Sequence, residues 1–116
     1  MKNIKVGIIG IGSISECHIT GYKLKLVELD AVSVCTWNSE HAPAAIASLK
    51  AGKHVLCEKP MAINAQEALE MEKTAEESGK LLMIGFVRRF GNDAKVLKDF
   101  IDTGMLGDIY YAKVSY

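Results

Sequence analysis

Five apolar, β-rich runs punctuate the chain: IKVGIIG at 4–10, AVSVCT at 31–36, HVLCE at 54–58, LLMIGF at 81–86 and IYYAKVSY at 109–116. Each is short, rich in β-branched or aromatic residues and closed by Gly, Pro or polar positions, the pattern of a strand. The intervening stretches are longer and mix apolar with charged residues. Residues 13–25 predict a helix, as do 39–51, which stop at Gly52. Asn64 with Glu67 three positions later has the spacing of a helix cap. The helix it opens carries Ala65, Ala68, Leu69 and Ala75 on one side and stops at Gly79. Residues 92–103 predict one more helix, stopped by Gly104. Strands apolar on both faces, alternating with helices, predict an α/β fold: a three-layer α/β/α parallel sheet of about five strands, in a single domain over 1–116.

Composition narrows the function classes. Formal net charge is +0, so no basic stripe points to nucleic acid. No apolar run approaches the length that spans a bilayer, and the apolar run after Lys2 and Lys5 is too short for a signal peptide. No nucleic-acid or membrane partner is therefore expected. Three cysteines with no CxxC pair point to a reducing compartment and a cytoplasmic protein, with Cys35 and Cys57 as buried, inert thiols near strand ends. His18 and His54 have no Cys or His partners at ligand spacing, so no metal site is expected.

Two stretches carry chemistry. Gly10-Ile11-Gly12-Ser13-Ile14-Ser15 follows the first strand and opens a helix. In that position the first glycine allows a tight turn, and the second lets backbone N–H groups approach a pyrophosphate at the positive end of the helix dipole. Two glycines also serve any sharp strand-to-helix turn. The second stretch is Glu58-Lys59-Pro60 at the end of HVLCE. Proline restricts the residue before it to extended geometry, which aims Lys59 out of the strand. A lysine becomes a base near neutrality only where burial or nearby positive charge favours its neutral form.

With GIIGIGSIS, the T-x-N-x-x-H of Thr36, Asn38 and His41, AGKHVLCEKP and GFVRRF in view, the chain resembles the glucose–fructose oxidoreductase/inositol dehydrogenase (Gfo/Idh/MocA) family of NAD(P)-dependent enzymes, over essentially its whole length. The resemblance implies a Rossmann-derived domain with NAD or NADP as its dinucleotide partner. It places Gly10, Ile11, Gly12, Ser13 and Ile14 at the pyrophosphate, and Thr36, Trp37, Asn38 and His41 along the nicotinamide-side ribose. Glu58 and Lys59 would stand at the nicotinamide, with Lys59 moving a proton on or off the substrate hydroxyl, and Arg88 would lie near the cofactor. It also implies a cis Lys59–Pro60 bond. Trp37 stands where the family usually has proline, and Val87 where it usually has asparagine.

One expected part is missing. Asp30 lies 18 positions after Gly12, close to the spacing of a ribose-binding acid. It precedes AVSVCT, however, at the amino end of that strand, whereas ligands sit at the carboxyl ends. Glu28 fails for the same reason. The chain joins its first helix to AVSVCT with no room for the strand that carries the family's ribose selector, so an internal deletion of more than one βα unit is inferred. The join at element boundaries points to an excised or engineered domain. IYYAKVSY stands where the family begins its substrate domain, so catalysis by this chain alone is expected to be negligible.

A right-handed crossover from the first helix then predicts the flavodoxin-like strand order 2-1-3-4-5. The alternative is a swapped homodimer that restores the family's strand neighbours, so the chain is expected as a monomer or a swapped homodimer. The functional rival to a nucleotide-binding domain is a non-catalytic scaffold without cofactor.

Overall fold

The structure, a computed structural model, describes residues 3–10, 12 and 29–113. Four strands form one sheet: β1 (Val6–Ile9), β2 (Ala31–Val34), β3 (His54–Cys57) and β4 (Leu82–Ile84). They are all parallel and lie in the order β1-β2-β3-β4. Helix α1 (Asn38–Lys50) joins β2 to β3, and α2 (Ala65–Ser78) joins β3 to β4. A 3₁₀ turn at Val87–Phe90 and helix α3 (Asn92–Asp102) follow. The chain forms two compact units, Met1–Gly85 and Phe86–Tyr116.

In the first unit the register explains the core. Paired residues of a parallel sheet share a face, so Val32, Val55 and Leu82 form one row and Val34, Cys57 and Ile84 the next. Ala42, Ala45 and Leu49 of α1 and Met71 of α2 close over these rows. Leu49, Met71, Val34 and Cys57 are fully buried, and each such apolar side chain contributes roughly 1.5–3 kcal/mol by leaving water. Two successive crossovers that advance the sheet in one direction put their helices on the same face, and α1 packs directly on α2. Asn64 caps α2 by accepting the Glu67 N–H at 2.9 Å, and Gly79 ends the helix in the left-handed conformation. Residues 13–25, expected as a helix, lie outside the described residues.

The strand order differs from the expected 2-1-3-4-5. That order would leave AVSV at the sheet edge, yet three of its four residues are buried, and it takes neighbours on both sides. The edge falls to β1, whose Ile9 is 39% exposed. The neighbours that a swapped dimer was invoked to restore therefore form within one chain. Among the described residues the sheet has four strands, close to the expected five. Residues 109–113 pair with no strand among the described residues, and Ile109, Tyr110 and Tyr111 are exposed.

In the second unit, α3 is amphipathic, with Val96, Leu97, Phe100 and Ile101 along one side. Lys98 pairs with Asp102 one turn on, and Arg89 lies over the Phe86 ring at 5.9 Å.

Candidate functional site

The hydrogen-bond ladder continues one residue past each strand at its carboxyl end. Cys35 donates its N–H to Ile9 O at 2.8 Å, Glu58 to Val34 O at 3.0 Å, and Gly85 to Cys57 O at 2.8 Å. The segments that follow β1, β2 and β3 therefore leave the sheet side by side on one edge. These are the Gly10–Gly12 turn, the Thr36–Asn38 loop and Glu58-Lys59-Pro60.

Gly10 is where the first two meet. Its φ is +93°, and an added Cβ would lie 2.7 Å from the Cys35 carbonyl carbon and oxygen and from the Thr36 nitrogen. The first glycine is thus demanded by backbone packing against β2 as well as by the turn. Around Gly12 an added Cβ would meet no described atom within 4 Å. Ile11, Ser13 and Ile14 lie outside the described residues.

Thr36 is half-buried, and its Oγ1 is a buried oxygen with no hydrogen-bond partner among the described residues. Trp37 is 86% exposed and Asn38 exposed at the start of α1. His41, one turn into α1, is by contrast buried at 1% exposure. Its Nδ1 lies 2.6 Å from Pro60 O and its Nε2 3.1 Å from Thr36 O. The ring thus sits between two loops of the edge.

The Lys59–Pro60 bond is cis. Lys59 is exposed, and its N–H donates to Glu58 Oε2 at 3.3 Å. The Glu58 carboxylate packs on Gly85, where an added Cβ would lie 3.3 Å from Oε1. Burial, reinforced by the Glu58 charge, raises the Cys35 thiol above its ordinary range. Burial first, then Glu58 and Cys35, pushes the Cys57 thiol up to about 12. Both thiols are free and buried. Arg88 is exposed and belongs to the second unit.

The structure thus brings Gly10, Thr36, His41, Glu58 and Lys59 to one sheet edge. Sequence reasoning placed Gly85 only within LLMIGF and GFVRRF and gave it no role; its closeness to the Glu58 carboxylate needs the β3–β4 register. No group of three or more His, Cys, Asp or Glu among the described residues could hold a metal. No helix among them is long and apolar enough to cross a membrane. A separate apolar cavity of about 830 Å³ opens along α2 and β4, lined by Met61, Ala68, Leu69, Leu82 and Ile84 among others. It shares no residue with the edge set.

A family model described as an oxidoreductase family with an NAD-binding Rossmann fold, GFO_IDH_MocA, matches residues 23–86. An Escherichia coli D-glucoside 3-dehydrogenase is 42% identical over 87 residues, which cover 75% of this chain and 25% of that protein. A Thermotoga maritima myo-inositol 2-dehydrogenase is 34% identical over 87 residues, covering 75% and 26%. The chain therefore spans about a quarter of the length of these curated relatives. Among solved structures, a Lactobacillus casei scyllo-inositol dehydrogenase with bound NAD(H) and scyllo-inositol has the same fold. Its TM-score is 0.83 over 93% of this chain and 43% of that one, at 24% identity.

Proposed function

The chain belongs to this oxidoreductase family with its NAD-binding Rossmann fold, and on that premise we propose that it is the dinucleotide-binding part of an NAD(P)-dependent oxidoreductase acting on ring hydroxyls of sugars or cyclic polyols. The substrate class follows from the relatives, whose names declare a glucoside and an inositol.

The observation that carries the reading is the convergence on one edge. The Gly10 turn presses against Cys35 and Thr36, and Glu58 leaves the sheet one strand further on. A dinucleotide laid along this edge passes the phosphate turn, the ribose loop and the lysine in that order. The residues fit such a group. An added Cβ at Gly12 would meet no described atom, and the Thr36 hydroxyl has no hydrogen-bond partner among the described residues. When bound, the nicotinamide supplies a hydride acceptor or donor. Gly10, Ile11, Gly12, Ser13 and Ile14 hold the pyrophosphate, and Thr36, Trp37 and Asn38 flank the ribose. Glu58 orients the nicotinamide end, and Lys59 Nζ takes or returns the hydroxyl proton.

On this reading the chain by itself binds dinucleotide. Titration with NADH and with NADPH, following the fluorescence of Trp37, tests the reading. Trp37 is the sole tryptophan and is 86% exposed. Saturable quenching in the micromolar range is expected. Absence of quenching by either dinucleotide up to millimolar concentration would overturn it.

A further inference from the structure

His41 is fully enclosed, and both of its ring nitrogens face main-chain carbonyls, Pro60 O at 2.6 Å and Thr36 O at 3.1 Å. Carbonyl oxygens only accept, so every hydrogen bond the ring makes here is one it donates. A neutral imidazole has one N–H to give and an imidazolium two; donation to Pro60 O, the shorter contact, uses Nδ1 in either case.

Both acceptors follow strands held on both sides, β2 by β1 and β3, and β3 by β2 and β4. Past the ladder, the turn after β3 has few main-chain anchors among the described residues. Glu58 N–H is the last to bond into the ladder. Among the described residues, Lys59 N–H reaches only the neighbouring Glu58 carboxylate, at 3.3 Å, and Pro60 has no N–H. The Pro60 carbonyl bond to His41 therefore ties the turn to helix α1. Without it, little in the main chain fixes the direction in which Lys59 leaves the sheet.

We propose that His41 is a positioning residue: its imidazole couples the loop after β2 to the Lys59–Pro60 turn, and so sets both the orientation of Lys59 and the strength of dinucleotide binding without touching the dinucleotide. The binding part rests on the function proposed above; the coupling itself does not.

The test uses the full 116-residue chain with His41→Asn, His41→Gln and His41→Leu. Asn places an amide donor near the Nδ1 position, Gln near the Nε2 position, and Leu supplies neither. Amide signals of Lys59 and Met61 in cofactor-free protein report the turn, and quenching of Trp37 by NADH reports binding. His41→Asn is expected to keep both amide signals in place and to bind NADH within about threefold of the parent chain. His41→Gln and His41→Leu are expected to move both signals and to weaken NADH about tenfold or more.

The proposal is overturned if His41→Leu leaves Lys59 and Met61 unmoved. It is equally overturned if the Asn variant is as impaired as the Leu variant at matched thermal stability. Nitrogen-15 signals of the parent ring decide the matter where a variant does not fold: a protonated Nδ1 supports the tie, and a bare Nδ1 refutes it. If neither NADH nor NADPH binds the parent chain, the dinucleotide reading fails, while the amide and ring signals still settle the coupling.

Discussion

The Asp30 carboxylate accepts the backbone N–H of Lys5 at 2.9 Å, while Asp30 gives its own N–H to the Lys5 carbonyl at 2.8 Å. These two bonds close the β1–β2 ladder at its amino end. Asp30 is thus at the edge of the sheet opposite to the Gly10 turn, although its distance in sequence from Gly12 suits a ribose ligand. Counting residues would select it; the strand direction excludes it.

Replacing Asp30 by Ala should therefore act on folding and leave dinucleotide binding alone. Loss of one charge-assisted acceptor on an exposed backbone donor predicts a decrease of roughly 0.5–1.5 kcal/mol in unfolding free energy. Dissociation constants for NADH and NADPH, and their ratio, should match those of the parent chain. A changed ratio would return Asp30 to the ribose.

Gly10 and Gly12 separate the two demands on the phosphate turn. At Gly10, alanine meets both a positive φ and the Cys35 carbonyl group 2.7 Å from its methyl. The conformational cost alone is about 1–2 kcal/mol, and the backbone contact adds to it, so a total loss above about 2 kcal/mol is expected in chemical denaturation. At Gly12 the same methyl meets no described atom. Gly12→Ala should fold with a stability within about 0.5 kcal/mol of the parent yet bind NADH at least about tenfold more weakly, since the methyl stands where the pyrophosphate would approach. If both variants lost stability and neither lost affinity at matched folding, the turn would be structural only.

The elements of the first unit were legible because each signal is local. VGII, AVSV, HVLC and LMI are β-branched or apolar runs bounded by breakers, and Asn64 and Gly79 mark the ends of α2 by cap chemistry that depends on a few neighbouring residues. Strand order was not legible. Apolar alternation says which residues leave water and is silent on which strand they leave it beside, and the crossover argument rested on residues outside the described ones. The burial of AVSV decides the point only once the sheet is seen. IYYAKVSY misled for a related reason: β-propensity expresses fit to a pleated, half-buried surface, and its described residues have no such surface. In the site, the glycines and Glu58-Lys59-Pro60 were legible from their places after strands. The enclosure of His41 between two carbonyls was not, since it depends on residues 5 and 19 positions away.

Asn64 offers a direct measure of how much local capping contributes. Its Oδ1 accepts the Glu67 N–H at 2.9 Å, and its Nδ2 donates to Glu67 Oε1 at 3.1 Å. Asn64→Ala removes both bonds and should cost about 1 kcal/mol. Asn64→Asp keeps the backbone acceptor and gains from the helix dipole, but faces the Glu67 carboxylate. Its loss should be smaller than that of the Ala variant. Thermal melts of the three chains at equal ionic strength give the ranking, and equal melting of Asn64→Ala and the parent would remove the cap from the account of α2.

Cys57 predicts how stability depends on alkaline pH. Its thiol is raised from 9.0 to about 12, by burial first and then by the charges of Glu58 and Cys35. In the unfolded chain none of these influences persists, so the thiol ionises near its ordinary value. A group whose folded-state pKa is the higher one holds its proton more tightly in the native protein. Its contribution is therefore complete below about pH 9 and is lost as pH rises toward 12. Because lysines and tyrosines also titrate in that window, the comparison must be differential. Urea unfolding of the parent chain and of Cys57→Ala across the alkaline range isolates the thiol. At neutral pH the Ala variant should be less stable by about 1 kcal/mol, the cost of a small cavity beneath α1. That gap should shrink steadily above pH 9, because only the parent chain has a thiol whose ionisation favours unfolding. The same buried, protonated state predicts slow alkylation of Cys57 in native protein and fast alkylation in urea. A stability gap that stayed constant to the alkaline limit would mean that the Glu58 carboxylate and the burial around Cys57 do not hold its proton.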